Sequence, residues 1–157
     1  MKSLRSEVVN PFIQASVETF ETMCDLVPVR DGKLQMRVGV FGSYDLLGII
    51  GLSGDVRGAV LLTMPIDTGQ KLVSEFLGEP VTEVNSDLLD GLGELLNIIA
   101  GAAAAKLVGL QVRLALPTVF VGQGQRLSAK ESSPWVVIPM QLPGMGPFNV
   151  EVSIEEA

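Results

Sequence analysis

The sequence predicts an α+β fold: a largely antiparallel β-sheet with long helices packed on it. Strand-like runs come in groups of three, whereas a parallel α/β fold would alternate each strand with a helix. Stretches with helical periodicity stand before and between those groups, giving the order helix, three strands, two helices, three strands. That order predicts an internal helix–three-strand duplication at the level of structural units. The composition, 47% hydrophobic and 18% charged over 157 residues with glycine and proline scattered, is that of a globule able to bury a core. No linker interrupts it, so residues 1–157 are read as a single domain.

"NPFIQASVETFETM" places Asn10 as an N-cap and Pro11 at the first helical position, and Ile13, Val17, Phe20 and Cys24 recur at helical spacing, predicting a helix over 10–26. Asp31-Gly32 marks a turn. "KLQMRVGVF", "SYDLLGIIGLSG" and "RGAVLLTMP" follow as strands. "IDTGQKLVSEFLGE" is a short helix after Pro65, with Asp67 or Thr68 as cap and Gly78 near its end. A long helix over 87–107 comes next, capped by Asn85 or Ser86. "VRLALPTVFVGQG", "WVVIPMQLPG" and "FNVEVSIEE" close the chain as strands, and the polar stretch 122–133 reads as a surface loop. Pro117, Pro139 and Pro143 point to edges or bulges.

Eleven basic against eighteen acidic residues give a net charge of −7 with no basic cluster, which argues against nucleic acid as a partner and disfavours an anionic membrane surface. The start "MKSLRSEVVNPF" lacks the apolar run of a leader, and no segment is read as long enough to span a membrane; residues 95–110 come nearest. A cytoplasmic location is expected. The high mean hydropathy, +0.41, favours a homo-oligomer that hides further apolar surface. Cys24 is the sole cysteine and reads as a small buried hydrophobe. Histidine is absent, which removes Ser–His–Asp and Cys–His relays and His-based zinc sites together. Any chemistry falls to carboxylates, amides, hydroxyls or lysine.

The long helix carries a polar line. At about 100° per residue, Asp90, Glu94, Asn97 and Gly101 fall within a wedge of roughly 60°, opposite Leu88, Leu92, Leu95, Leu96, Ile99 and Ala103. Gly93, Ala100, Gly101, Ala104 and Ala105 flank it, where lysines and glutamates would ordinarily solvate an exposed helix. Each interior glycine costs about 1 kcal/mol relative to alanine. A low surface admitting another body offsets that cost on one reading; tight internal packing does so on another, and the polar line is then the helix's wet side. Periodicity leaves both open. Glu151 and Glu155 on the last strand read as surface groups.

"LLDGLGELLNIIAG" resembles the signature of the CheC/CheX family of chemotaxis phosphatases, [DS]-x-x-x-E-x-x-N, with Asp90, Glu94 and Asn97 in its three positions. The opening helix, the element order and the length are similar too. Members of CheC type carry the motif twice; the first-half helix here offers no Glu-x-x-Asn, so the resemblance is to the single-site CheX type. It implies a CheC-like fold and an enzyme that removes the phosphoryl group from the aspartyl phosphate of a CheY-like receiver. In that role Asn97 orients the attacking water, Glu94 engages the receiver's lysine, and Asp90 supports them or is merely solvated. Gly93, Ala100, Gly101 and Ala104 make the docking surface. The chain binds no cofactor or metal of its own; Mg²⁺ belongs to the receiver. A homodimer is implied as well. The alternative is a non-catalytic module that binds receivers or a signalling assembly through the same helix.

Overall fold

The computed structural model describes residues 6–157; Met1–Arg5, part of the stretch read above for a leader, lie outside the described residues. Helix α1 spans Ser6–Cys24, followed by β1 (Val29–Arg30), β2 (Gln35–Arg37), β3 (Gly39–Gly42), β4 (Leu46–Gly54) and β5 (Val56–Met64). Helices α2 (Ile66–Leu77) and α3 (Ser86–Ala105) come next, then β6 (Val112–Leu114), β7 (Thr118–Val121), β8 (Arg126–Ala129), β9 (Trp135–Leu142) and β10 (Gly146–Glu156). Each half therefore has five strands where three were expected, because the edge runs are cut short by turns and "GQGQRLSAKESS" contains β8.

The eight-stranded sheet runs β1–β9–β10–β5–β4–β6, with β2 also on β9 and β7 also on β4, while β3 and β8 pair as a separate ribbon. Exchanging each strand of the first half for the one five places later reverses this order and leaves it unchanged. The duplication is thus a pseudo-twofold arrangement about the β5–β10 pair, whose register runs from Asn149–Thr63 to Glu156–Val56. Even the edge breaks repeat: Asp31 N–H donates to Pro139 O and Ala115 N–H to Gly51 O, each at 2.9 Å. Pro139 sits where β1 gives way to β2, so the missing amide falls in a bulged region, as its type requires.

All strand pairs are antiparallel, so successive side chains alternate between a face under the helices and an outer face. Leu46, Ile50, Val60, Leu62, Ile138, Val150 and Val152 belong to the helix-side core with Phe12, Phe20, Leu72, Leu88 and Leu92. Phe20 and Phe148 meet edge-to-face at 5.2 Å between ring centroids. Three expectations about the helices change. Asn10 is not a cap, because α1 starts at Ser6 and Val9 is already buried; Pro11 sits in the second turn, where its absent amide costs one backbone bond. Asp67 and Thr68 lie inside α2, which begins after Pro65 with no side-chain cap and ends on left-handed Gly78. Helix α3, at twenty residues, is long and apolar enough for a membrane span by length and composition, contrary to expectation, because its Leu-rich start lies ahead of residue 95. Nine of its residues are buried within the fold.

The outer face of the sheet is covered too. Leu47, Leu61 and Val137 are buried there together with Phe41 of β3 and Ala129 of β8, and Ser133 beyond β8 joins Ser153 and Glu155 through hydrogen bonds of 3.3 and 2.6 Å. The β3–β8 ribbon is the second layer. Glu151, read from the sequence as a surface group, is buried on this face at 2% exposure, and its Oε1 has no hydrogen-bond partner. Alternation placed it on the outer face correctly; that face is itself covered, which alternation does not reveal.

Burial pushes the Glu151 carboxyl up to about 7, against the opposing pull of the Arg37 guanidinium and a hydrogen bond with the Asn149 side chain. Between about pH 4.5 and 7 the unfolded chain has released this proton and the folded chain retains it. Stability therefore falls as pH rises through that window and the loss is complete above it. Urea denaturation at pH 5 and pH 8 is expected to show Glu151→Gln removing a decline of roughly 2–3 kcal/mol that wild type shows. Identical pH dependence in the two proteins would contradict this placement.

Candidate active site on helix α3

Helix α3 is set at its start by Asn85, extended in backbone, whose side chain accepts the Leu88 amide at 3.1 Å. Leu88, Leu92, Leu95 and Leu96 are 0% exposed and Ile99 is 1% exposed, so the rotation of the helix is fixed by its apolar face. Gly48 on β4 lets it sit close: a methyl there would meet Leu96 Cδ2 at 3.1 Å. The opposite side then carries Asp90 and Glu94, both exposed, and Asn97, half-buried. The ion pairs Arg57–Glu155, Lys71–Asp67 and Lys106–Glu18 all lie elsewhere.

Asp90, Gly93 and Glu94 form one wall of an open cleft of about 320 Å³, with Leu89 from the same helix and Pro117 and Val119 opposite. Asn97 is one turn further along, outside that lining. From sequence Pro117 reads only as an edge or bulge and Val119 only as part of a strand, neither at the site; the one signal for their place here is Gly93, which implies a neighbour close to the helix. A methyl on Gly93 would lie 3.5 Å from Val119 Cγ2 and 3.7 Å from Pro117 Cγ, and one on Gly101 3.8 Å from Leu114 Cδ1. The protein's own β6–β7 segment thus occupies part of the space that the small residues clear.

Ala100 does not belong to an exposed surface. It is 0% exposed and in the core, a turn beyond Leu96 and with the same phase, so the docking role expected of it fails. Gly93 is buried but borders the cleft, and Gly101 and Ala104 are half-buried. Among the described residues no three His, Cys, Asp or Glu side chains converge to hold a metal ion. What the helix face offers is two carboxylates and one carboxamide on a rigid support. A carboxamide can donate and accept at once, and so can hold a water in a set orientation.

The glycines of α3 are separable by experiment. A methyl on Gly91 would meet Val73 Cγ1 at 2.5 Å, and Val73 is a buried β-branched residue with little freedom to move. Gly91→Ala is expected to lose about 1–3 kcal/mol in urea denaturation despite the better helix former. Gly101→Ala meets only ordinary contact and is expected to gain up to about 1 kcal/mol. The opposite ordering would mean that α3 packs differently.

Comparison with known proteins agrees with this geometry. The family model described as chemotaxis phosphatase CheX matches residues 46–141. The CheY-P phosphatase CheX of Thermotoga maritima is 26% identical over 153 residues, 96% of this chain and 97% of that protein. The crystal structure of chemotaxis protein CheX from Desulfovibrio desulfuricans superposes with a TM-score of 0.85 at 28% identity, covering 95% of this chain and 99% of the other. A chain of the CheX–CheY–BeF₃–Mg²⁺ complex from Borrelia burgdorferi does so with a TM-score of 0.80 at 25% identity, covering 97% and 100%. With its fold, its helix and the matched segment in agreement, this chain belongs to the CheX family of chemotaxis phosphatases.

Proposed function

We propose that this protein dephosphorylates a CheY-like response regulator, and that the face of α3 bearing Glu94 and Asn97 is the part it contributes. The observation that carries the reading is the outward stripe Asp90–Glu94–Asn97 on a helix whose other side is locked in the core. In an aspartyl phosphate, water attacks phosphorus in line with the leaving carboxylate; the P–O bond to the aspartyl group breaks and inorganic phosphate departs. A receiver's bound Mg²⁺ stabilises the charge that develops. The remaining requirement is to place the water, which is a matter of position.

Asn97 meets it without adding negative charge beside an anionic phosphoryl group. Glu94, one turn earlier and exposed, engages the receiver's lysine through a charge-assisted hydrogen bond that sets the register of docking. Asp90, further along the same stripe, supports that contact, while Gly93, Gly101 and Ala104 keep the surface low around it. No metal need be held by this chain in such a reaction.

The same reading places the protein in the cytoplasm, where soluble receivers act, with neither membrane nor nucleic acid as partner. We further propose that the protein is a homodimer. The mean hydropathy of +0.41 and the exposed run Met36, Val38 and Val40, at 58, 51 and 64%, support self-association along β2 and β3.

The deciding experiment follows decay of a phosphorylated CheY-like receiver in Mg²⁺ with wild type, Asn97→Ala and Glu94→Ala. Asn97→Ala is expected to lose at least about a hundredfold in rate while retaining most of the binding. Glu94→Ala is expected to weaken both. Wild type that binds a cognate receiver yet leaves its decay unchanged would reduce the protein to a docking module.

A further inference from the structure

Three glycines lie within helix α3, and the fold does not treat them alike. Gly91 has to be glycine, because a methyl there would meet Val73 Cγ1 at 2.5 Å. At Gly93 a methyl would find only ordinary contact, 3.5 Å from Val119 Cγ2 and 3.7 Å from Pro117 Cγ. Alanine is the better helix former, so neither packing nor local propensity accounts for glycine at this position. What a methyl would take up is room. It would stand between the helix and the β6–β7 segment, where Gly93 borders the cleft of about 320 Å³.

That cleft suits one kind of side chain. Leu89, Pro117 and Val119, all half-buried, line it with carbon, and Asp90 and Glu94, both exposed, add carboxylates. An acidic side chain would be repelled there, and an apolar one would strip water from the carboxylates without replacing it. A lysine or arginine satisfies both surfaces, with its methylene stem on the apolar wall and its charged head on a carboxylate. The wall is fixed in advance: Ala115 N–H donates to Gly51 O at 2.9 Å, and Thr118 pairs with Ile49. Seating a side chain against it therefore costs little ordering of this chain.

We infer that this cleft is a specificity pocket for a second basic side chain of the receiver, distinct from the lysine that meets Glu94. Gly93 keeps its floor open, and Asp90 takes the charge. The inference rests on the reading of α3 as the receiver-binding helix and deepens it. Asn97 lies outside the lining, and Asp90 precedes it by seven residues, about 10 Å along a helix axis. A cation held there is too far from the reacting phosphorus to act on the chemical step, so the pocket chooses and holds the partner.

Gly93→Ala tests the room and Asp90→Asn the charge, with a cognate CheY-like receiver phosphorylated from acetyl phosphate in Mg²⁺ or held active with beryllofluoride. Gly93→Ala is expected to raise KM about tenfold with kcat unchanged, and to weaken binding of the beryllofluoride form by the same factor. It should melt at or above the wild-type temperature. Asp90→Asn should raise KM as well, and the double variant should be little worse than either alone, because both remove the seat of one side chain. Replacing the receiver's lysines and arginines singly by alanine should then identify one whose loss weakens binding to wild type and leaves binding to the Gly93→Ala protein unchanged. Unchanged KM and binding for Gly93→Ala would overturn the inference, as would a loss confined to kcat. So would melting well below wild type, which would return the glycine to packing, or a matching side chain that proves to be the receiver's active-site lysine. A loss with Glu94→Ala and none with Gly93→Ala would remove the pocket and leave the docking helix; no loss with either would remove both. If wild type binds the receiver without dephosphorylating it, the catalytic reading of Asn97 fails, and binding of the beryllofluoride form still decides the pocket.

Discussion

Everything at the proposed site depends on one packing constraint: Leu88, Leu92, Leu95, Leu96 and Ile99 of α3 must all stay buried in the core formed with the sheet and the other two helices. Each is at most 1% exposed, and each buried side chain of this kind contributes about 1.5–3 kcal/mol. Turning the helix by one residue would bring most of them toward solvent and cost on the order of 10 kcal/mol, comparable with the net stability of a whole domain. Asp90, Glu94 and Asn97 cannot trade places with the core residues. Their direction is therefore decided by residues that take no part in chemistry. Gly48 strengthens the constraint by letting the helix settle close enough for Leu96 to fill the space above β4.

A helix fixed this firmly suits a task in which position is most of the catalysis. No histidine is present to carry a proton, and an additional carboxylate at position 97 would repel the group being transferred. An amide avoids both problems, provided it does not move. In the proposed reading the acidic groups stand three and seven residues before it, where their charge can meet a cation on the partner.

The fold class and the polar stripe were legible in the sequence because both follow from short-range periodicity: 3.6 residues for α3, two for the strands. What escaped depends on contacts distant in sequence. β8 sits in a stretch with loop composition and becomes a strand only because β3, more than eighty residues earlier, supplies its ladder, Gly39 pairing with Ala129 and Gly42 with Arg126. Glu151 has the alternation of a surface residue and is buried because the outer face of the sheet is covered. Ala100 looked like part of a cleared surface because its small size fits clearance and core packing equally; only its phase relative to Leu96 and Ala103 separates the two. Pro117 and Val119 have no local signature of the cleft, since β7 and the residue before it come beside α3 only through the pairing of β7 with β4.

The pseudo-twofold fold sharpens the question of why one helix should carry the site. Helices α1 and α3 open the two halves, and the strands that follow them correspond pair by pair, down to the repeated break in each edge. Backbone architecture therefore cannot distinguish them; side chains do. Helix α1 buries Ser16 and Thr19 alongside Phe12, Ala15 and Phe20, and Ser16 donates its hydroxyl to Phe12 O at 2.7 Å, while its exposed positions carry Asn10, Gln14, Glu18 and Glu21 with no Glu-x-x-Asn among them. Its exposed acid Glu18 reaches across to Lys106 at the end of α3, a half-solvated pair worth little in stability. One copy of the unit braces the assembly and the other presents an amide, and the difference between them lies in a few side chains on one helix face.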